Sequence, residues 1–238
     1  MIQKNGSVAV LTLDTAAMRQ LGNLTAPSKR AYCERHGYTF VRELDSLDHT
    51  RPPSWSKVLL LARELQRHEL CLWIDADAAI TDPSIPIHEV IQEVADSVSP
   101  SDLYIAHDKN GINCGVMCWR SSTRSYAAFQ QMWDSVEHIW HCWWEQAALM
   151  HLLAGPHDLL VSYLPKTNLN SYPEDWQPGH FVLHTPGRFD REEQLRRRLP
   201  PTPCGRTIAF PGWYCTRNIL HDGPCAAHPC PFSPGVHP

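Results

Sequence analysis

No run of apolar residues in this sequence approaches the roughly 20 needed to span a bilayer. The opening segment Met1-Ile2-Gln3-Lys4-Asn5-Gly6 lacks the apolar stretch of a signal peptide. Both absences lead to the expectation of a soluble, cytoplasmic chain with no transmembrane segment. An excess of one charge is missing too. The 21 Lys and Arg against 25 Asp and Glu leave a formal charge of −4, with no basic stripe to neutralise the phosphates of a duplex, so nucleic acid is not an expected partner. The one basic cluster, Arg196-Arg197-Arg198, adjoins Asp190, Glu192 and Glu193 and reads as a solvated helix face. No internal repeat is visible. The cysteines number nine, and an odd total without an export signal argues against a disulfide framework. Five of them, Cys33, Cys71, Cys114, Cys118 and Cys142, are scattered through the body and read as small buried apolar residues.

What is present is a chain of 238 residues with 43% apolar content, enough for one large α/β domain and hardly for two. Val8–Leu13 reads as a first strand, and Pro27 to Gly37 carries a helical pattern with Gly37 as its C-cap. Tyr38–Val41 reads as a second strand, so the chain opens as a parallel sheet does. After the Arg51–Ser54 turn, Val58, Leu61, Ala62 and Leu65 fall on one helical face, and the compact apolar run Leu70–Ile74 leads directly into Asp75-Ala76-Asp77. Ile87–Val98, Ser125–Val136 and Trp143–Leu153 are expected helices. Leu103–His107, Val116–Trp119, Val161–Leu164 and Phe181–Leu183 are expected strands, with Asp108–Asn113 as a polar loop. From about Leu199 the composition shifts to Pro, Cys, Gly and His, which places a domain boundary after residue 198.

The acidic pair carries the chemistry. Ligands of open α/β sheets bind beyond the carboxyl ends of the strands, where Asp75 and Asp77 are expected. In extended backbone, residues two apart point the same way, so both carboxylates would face one Mg²⁺ or Mn²⁺ ion shared with substrate phosphates. Such an ion would stabilise charge building on a leaving diphosphate. The ordinary alternative is a solvated turn, with Asp82 as a cap. The apolar Leu72-Trp73-Ile74 and Ala78-Ala79-Ile80 on either side argue against it.

Several segments together resemble glycosyltransferase family 34, the α-galactosyl-, α-mannosyl- and xyloglucan α-xylosyltransferases. In order they are Tyr32-Cys33-Glu34-Arg35-His36-Gly37-Tyr38, Trp55-Ser56-Lys57-Val58-Leu59-Leu60, Leu72-Trp73-Ile74-Asp75-Ala76-Asp77-Ala78, Asn113-Cys114-Gly115-Val116, Trp144-Glu145-Gln146-Ala147-Ala148-Leu149 and Gly179-His180-Phe181-Val182-Leu183-His184. The resemblance implies a GT-A-like fold, a mainly parallel central sheet flanked by helices. It also implies a UDP-sugar or GDP-sugar donor, Mn²⁺ (or Mg²⁺), and transfer to a glycan or other hydroxyl acceptor with retention of configuration. It makes Asp75, Asp77 and His184 the metal ligands, and places the Asp75-Ala76-Asp77 segment and Lys57 near the diphosphate. Leu11 and Thr12 would lie near base and ribose, Asn113 and Gly115 near the donor sugar, and Glu145 and Gln146 at the acceptor and the transferred sugar. With Asp77, these last two form the expected catalytic set, and Trp143, Trp144 and Trp176 could stack on sugar faces. Against the family pattern, an N-terminal anchor and stem do not appear in the sequence, and Thr185-Pro186-Gly187 follows His184 where Ala-Gly-Cys is common.

In the tail, Cys204, Cys215, His221, Cys225, His228 and Cys230 fall within 27 residues. Cys204, Cys215, His221 and Cys225 form a candidate Zn²⁺ set. A flexible tail with free thiols competes with it, because no Cys-x-x-Cys pair occurs. For the body, the competing functions are a sugar- or nucleotide-binding module without turnover and a metal-dependent phosphoesterase or nuclease. The latter would need further carboxylates for a second metal, and none is evident.

Overall fold

Successive residues of the apolar strands face opposite sides of one sheet, and the helices supply a cover for each side. The computed structural model describes residues 7–95, 100–199, 213–215 and 227–229. The chain divides into two units, Met1–Arg197 and Arg198–Pro238. In chain order the elements of the first are β1 (Val8–Leu13), α1 (Arg19–His36), β2 (Thr39–Glu43), α2 (Ser56–Glu64), β3 (Leu70–Ile74), β4 (Ala78–Ile80), α3 (Ile87–Ala95), β5 (Leu103–Asp108), β6 (Gly111–Arg120), α4 (Thr123–Asp134), α5 (Trp144–Ala154), β7 (Val161–Leu164), α6 (Lys166–Leu169), β8 (Val182–His184) and α7 (Arg191–Arg198).

The main sheet runs β2-β1-β3-β6-β5-β7. β1 pairs parallel with β2 and β3, β5 pairs parallel with β7, and β6 runs antiparallel between β3 and β5. Five strands therefore share one direction. β3 is buried at all five positions, as a strand covered on both faces must be. On one face Leu11, Trp73, Ile105 and Trp119 pack with Val58 and Leu61 of α2, Phe129 of α4 and Leu149 of α5. On the other, Val10, Leu72, Tyr104 and Cys118 pack with Tyr32 of α1, Val90 of α3 and Val182 of β8.

Four features differ from the sequence expectation. Helix α1 begins at Arg19, so Pro27 lies within it. Proline forgoes one helical hydrogen bond, yet burial of Leu24, Ala26 and Lys29 around it carries the helix through to its left-handed cap at Gly37 (φ +69°). β6 starts at Gly111, so most of the expected loop is a hairpin. Its register against β5 jumps from Ile105↔Met117 to Ala106↔Asn113, and the extra residues between 113 and 117 bulge out of the ladder. β8 does not join the main sheet but pairs antiparallel with the unexpected strand β4. Helix α6 was likewise unexpected. Of Ile87–Val98, the described helix reaches Ala95.

In the second unit, β9 (Trp213–Cys215) pairs antiparallel with β10 (Ala227–Pro229), setting Cys215 opposite Ala227. Cys204, His221 and Cys225 of the candidate zinc set lie outside the described residues. Among the described residues, no helix is long and apolar enough to cross a membrane.

Candidate metal and donor site

The small β4–β8 pair builds the site. Its register sets Ala78 opposite His184, and Thr185 donates to the carbonyl of Asp77 from both its N–H (3.1 Å) and its hydroxyl (2.8 Å). Residues more than a hundred apart in sequence are thereby locked side by side. The two carboxylates do not converge by strand alternation, as the sequence suggested. β3 ends at Ile74, and Asp75 to Ala78 form a turn closed by a bond from Ala78 N–H to the Asp75 carbonyl (3.1 Å). The turn is held from both sides. Gly115 C=O accepts from Asp75 N–H at 2.8 Å, and the hydroxyl of Thr25 donates to Ala76 C=O at 2.8 Å.

One ligand atom each from Asp75, Asp77 and His184 lies within 4.8 Å of the others, an arrangement found in no other His, Cys, Asp or Glu group among the described residues. His184 Nε2 stands 3.4 Å from Asp77 Oδ1, is buried, and has no hydrogen-bond partner. Leaving a buried polar atom unmatched costs roughly 1–3 kcal/mol, a cost that a bound cation would remove. Two carboxylates and an imidazole nitrogen form a donor set suited to a divalent ion that keeps open positions. Gly115 makes room for the ring, since a Cβ there would lie 2.1 Å from His184 Cε1.

Beneath the turn lie two lysines. Lys57 of α2 is buried and directs its ammonium at Glu145 Oε1 (2.9 Å), the Cys114 carbonyl (2.9 Å) and Asp75 Oδ1 (3.2 Å). Burial alone would lower its pKa, but the Asp75 and Glu145 carboxylates outweigh that and hold it well above the ordinary value. Lys57 lines the cleft as a fixed positive charge, with its three N–H groups directed at protein oxygens. Lys29 of α1, fully buried, was not anticipated. It donates to Asp75 C=O (2.8 Å) and Thr12 Oγ1 (3.0 Å), and burial brings its pKa down to about 7 against the pull of Asp75, Asp77 and Asp14. Burial pushes the Asp75 carboxyl upward, opposed by Lys57 and reinforced by Asp77. The Asp75 side chain keeps 31% exposure, on the cleft side.

The cleft has a volume of about 510 Å³ and is lined by Asp75, Ala76, Asp77, Asn113, Gly115, Lys57, Glu145, Gln146 and His184. Leu11 and Thr12 do not reach it. Leu11 is buried in the core and Thr12 is capped by Lys29, and the lining is supplied instead by Leu13 and Thr15. The side chain of Asn113 does line the cleft, but its amide is fully committed inside the protein. It accepts from Gly115 N–H and Asn170 and donates to Asp108 and Tyr172. Gln146 accepts from Cys114 N–H at 3.1 Å, and Glu145 Oε2 is buried without a partner. Trp143 and Trp144 stand exposed on the rim, whereas Trp176 turns away to Thr81. Trp144 takes a left-handed φ of +43°, an uncommon state for a bulky residue, at the step that buries Glu145. Arg191 of α7, also unanticipated, places Nη1 3.2 Å from Asp77 Oδ2.

The model of the galactosyl transferase GMA12/MNN10 family matches residues 14–96. Over 186 residues the chain is 27% identical to the probable alpha-1,6-mannosyltransferase MNN10 of Saccharomyces cerevisiae, covering 63% of this chain and 47% of that protein. The chain thus spans about half the length of its curated relative. Among solved structures, it resembles a glycosyltransferase involved in glycosylation of the major capsid of PBCV-1, with a TM-score of 0.65, 15% identity, and coverage of 81% of this chain and 98% of that one. It also resembles the galactosyltransferase LgtC in complex with donor and acceptor sugar analogs, with a TM-score of 0.54, 11% identity, and coverage of 82% and 97%. At such identities the structural likeness establishes the fold, which is GT-A. Fold, motif order and the family-model match over residues 14–96 agree in making the chain similar to glycosyltransferase family 34, the GMA12/MNN10 family.

Proposed function

We propose that this chain transfers a hexose or pentose from a UDP- or GDP-sugar to a hydroxyl acceptor, a glycan or smaller molecule, with retention of anomeric configuration. Asp75, Asp77 and His184 would hold a Mn²⁺ or Mg²⁺ ion. The observation that carries the proposal is the unpartnered, buried His184 Nε2 facing two carboxylates at the carboxyl end of β3. When bound, the ion supplies positive charge against the diphosphate of the donor.

The protein's own residues account for the rest. Lys29 and Thr25 hold the Asp75 and Ala76 carbonyls, and so fix the turn that presents the carboxylates. Lys57 ties Asp75 to Glu145, which gives the floor of the cleft one rigid charge pattern. Its ammonium engages Glu145 Oε1 and leaves Oε2 for a sugar hydroxyl or for the positive charge that develops on the anomeric carbon. An ion-paired carboxylate is a poor nucleophile. The reading that fits is attack from the face the leaving group vacates, with a departing phosphate oxygen taking the acceptor's proton. Trp143, Trp144 and Pro53 form an apolar wall where the acceptor's ring can lie.

Incubation with Mn²⁺ and a panel of UDP- and GDP-sugars, with and without simple glycosides, tests the proposal. Metal-dependent donor consumption is expected. Donor binding without turnover would leave a nucleotide-sugar-binding module, and absence of both would remove the donor assignment.

A further inference from the structure

Asn113, Asn170 and His184 form a chain of buried amides and imidazole whose polarity can be read from one end to the other. Two groups of fixed character pin Asn113. The backbone N–H of Gly115 donates to its oxygen at 2.9 Å, and the Asp108 carboxylate accepts from its nitrogen at 3.2 Å. Its oxygen therefore faces Asn170 as an acceptor, so it is the amide nitrogen of Asn170 that sits 2.8 Å away. The Asn170 oxygen is then left facing His184 Nδ1, also at 2.8 Å, and an amide oxygen only accepts. His184 Nδ1 must carry the proton. In a neutral ring that makes Nε2 a bare lone pair, and this is the atom aimed at Asp77 without a partner. Asn170 is fully buried and His184 nearly so, so neither can exchange these bonds for water.

We infer that Asn170, oriented through Asn113 by the Gly115 backbone, is a positioning residue that holds His184 in its Nδ1–H tautomer with Nε2 free toward the carboxylates. The inference rests on the metal-holding role proposed above for the meaning of that lone pair, but not for the tautomer itself. It also reassigns Asn113. Its amide has no hydrogen-bonding capacity left for a donor sugar, and it serves the metal ligand from a distance. Without Asn170, the ring could turn its proton to Nε2 and donate to Asp77 Oδ1, now 3.4 Å away, closing the ligand position. Outer partners of metal-bound histidines act in this way, and their loss typically weakens metal affinity roughly 10- to 100-fold.

The test has two readouts on the full chain. Long-range ¹H–¹⁵N correlation spectra of the metal-free protein, with His184 assigned by its loss in His184→Gln, should show the neutral Nδ1–H tautomer. In Asn170→Leu the same ring should move toward Nε2–H, and Mn²⁺ affinity by electron paramagnetic resonance should fall roughly 10- to 100-fold. An Nε2–H tautomer in the unaltered protein overturns the inference, and so does an Asn170→Leu protein with tautomer and affinity unchanged. If Asn170→Leu fails to fold, the tautomer of the unaltered protein still decides. Should the unaltered protein bind no Mn²⁺ while showing Nδ1–H, the proposed metal role fails and the tautomer assignment stands.

Discussion

Two buried carboxylate clusters sit at the ends of neighbouring strands, and they are built to opposite specifications. Asp14, just past β1, has no exposed side-chain surface. Arg42 grips both its oxygens (2.8 and 3.0 Å), Arg19 lies 2.8 Å from one of them, and Gly22 leaves room where a Cβ would come within 2.5 Å of the carboxyl carbon. Both carboxylate oxygens there accept hydrogen bonds from Arg42, and the atom left without one is the Nε of Arg19, which still pairs with Asp14 by charge. At the end of β3, by contrast, Asp75, Asp77, Glu145 and His184 crowd together with two buried polar atoms left over, His184 Nε2 and Glu145 Oε2. The first carboxylate is saturated by the chain's own cations, whereas the second cluster is left unsaturated at the atoms that would face the proposed metal and sugar.

Swapping the two aspartates gives the largest separation. Asp77→Ala should lower transfer by roughly 10³-fold or more, since it removes one of the proposed metal ligands, and should leave the melting temperature close to unchanged. Asp14→Ala should do the reverse. It leaves two arginines beside an empty, buried position and should cost about 3–5 kcal/mol of stability, with turnover per folded molecule preserved. Activity assays paired with thermal melts decide the comparison. If Asp14→Ala lost turnover while keeping its melting temperature, the saturated cluster would also belong to the active centre.

Gly115→Ala sharpens the contrast within the unsaturated cluster. The added methyl would collide with the His184 ring at 2.1 Å, and the backbone around it is pinned by Asp75 N–H and Asn113. The ring must yield, so Mn²⁺ affinity should fall at least about 10-fold, as when a ligand is displaced, while the β3–β6 pairing survives. Isothermal titration with Mn²⁺ and far-ultraviolet circular dichroism measure the two sides. Glu145→Gln comes next. It keeps the shape and the acceptor toward Lys57 but removes the charge, and turnover should fall about 10²-fold with Mn²⁺ affinity within a few-fold of the original. A fall in metal affinity as large as the fall in turnover would make Glu145 part of the metal site rather than of the sugar site.

How much of this was legible in the sequence follows from which interactions are local. β1 and β3 were readable because each is a short apolar run, and Asp75 and Asp77 because they follow directly on the more buried of the two. His184 was legible only through motif order, since nothing in Phe181-Val182-Leu183-His184 says that the segment pairs with β4 rather than with the main sheet. The β4–β8 pair depends on a contact more than a hundred residues apart, and strands of three residues carry no periodicity of their own. Lys57 was visible as a lysine in a motif, but not as one held by Asp75 and Glu145. Lys29 lies within the helix expected over Pro27–Gly37, and a buried lysine on such a helix looks like any surface lysine until its neighbours are known. Asn170 lies in Lys166-Thr167-Asn168-Leu169-Asn170, which has neither charge pattern nor period to mark it. The networks that tune the site are made of side-chain polarity across distant loops, and a linear pattern does not encode them.

Arg191 gives the smallest expected effect and the finest probe of the unsaturated cluster. Its guanidinium sits 3.2 Å from Asp77 Oδ2, with 33% of its side chain exposed, so in the absence of a metal it is the cation that partly answers the carboxylate. A metal must compete with it. Being half in water, the pair is worth on the order of 1 kcal/mol or less, which sets the scale of the change. Arg191→Ala should therefore bind Mn²⁺ a few-fold more tightly when no donor is present, a gain of function at the level of binding. With donor present, the same variant would also lack a positive group lining the cleft proposed to receive the diphosphate, so the gain should shrink or reverse. Titrating Mn²⁺ into both proteins with and without UDP separates the two contributions. Equal affinity of both proteins under both conditions would mean that Arg191 pairs with Asp77 only as a surface ornament of α7 and that the metal never meets it.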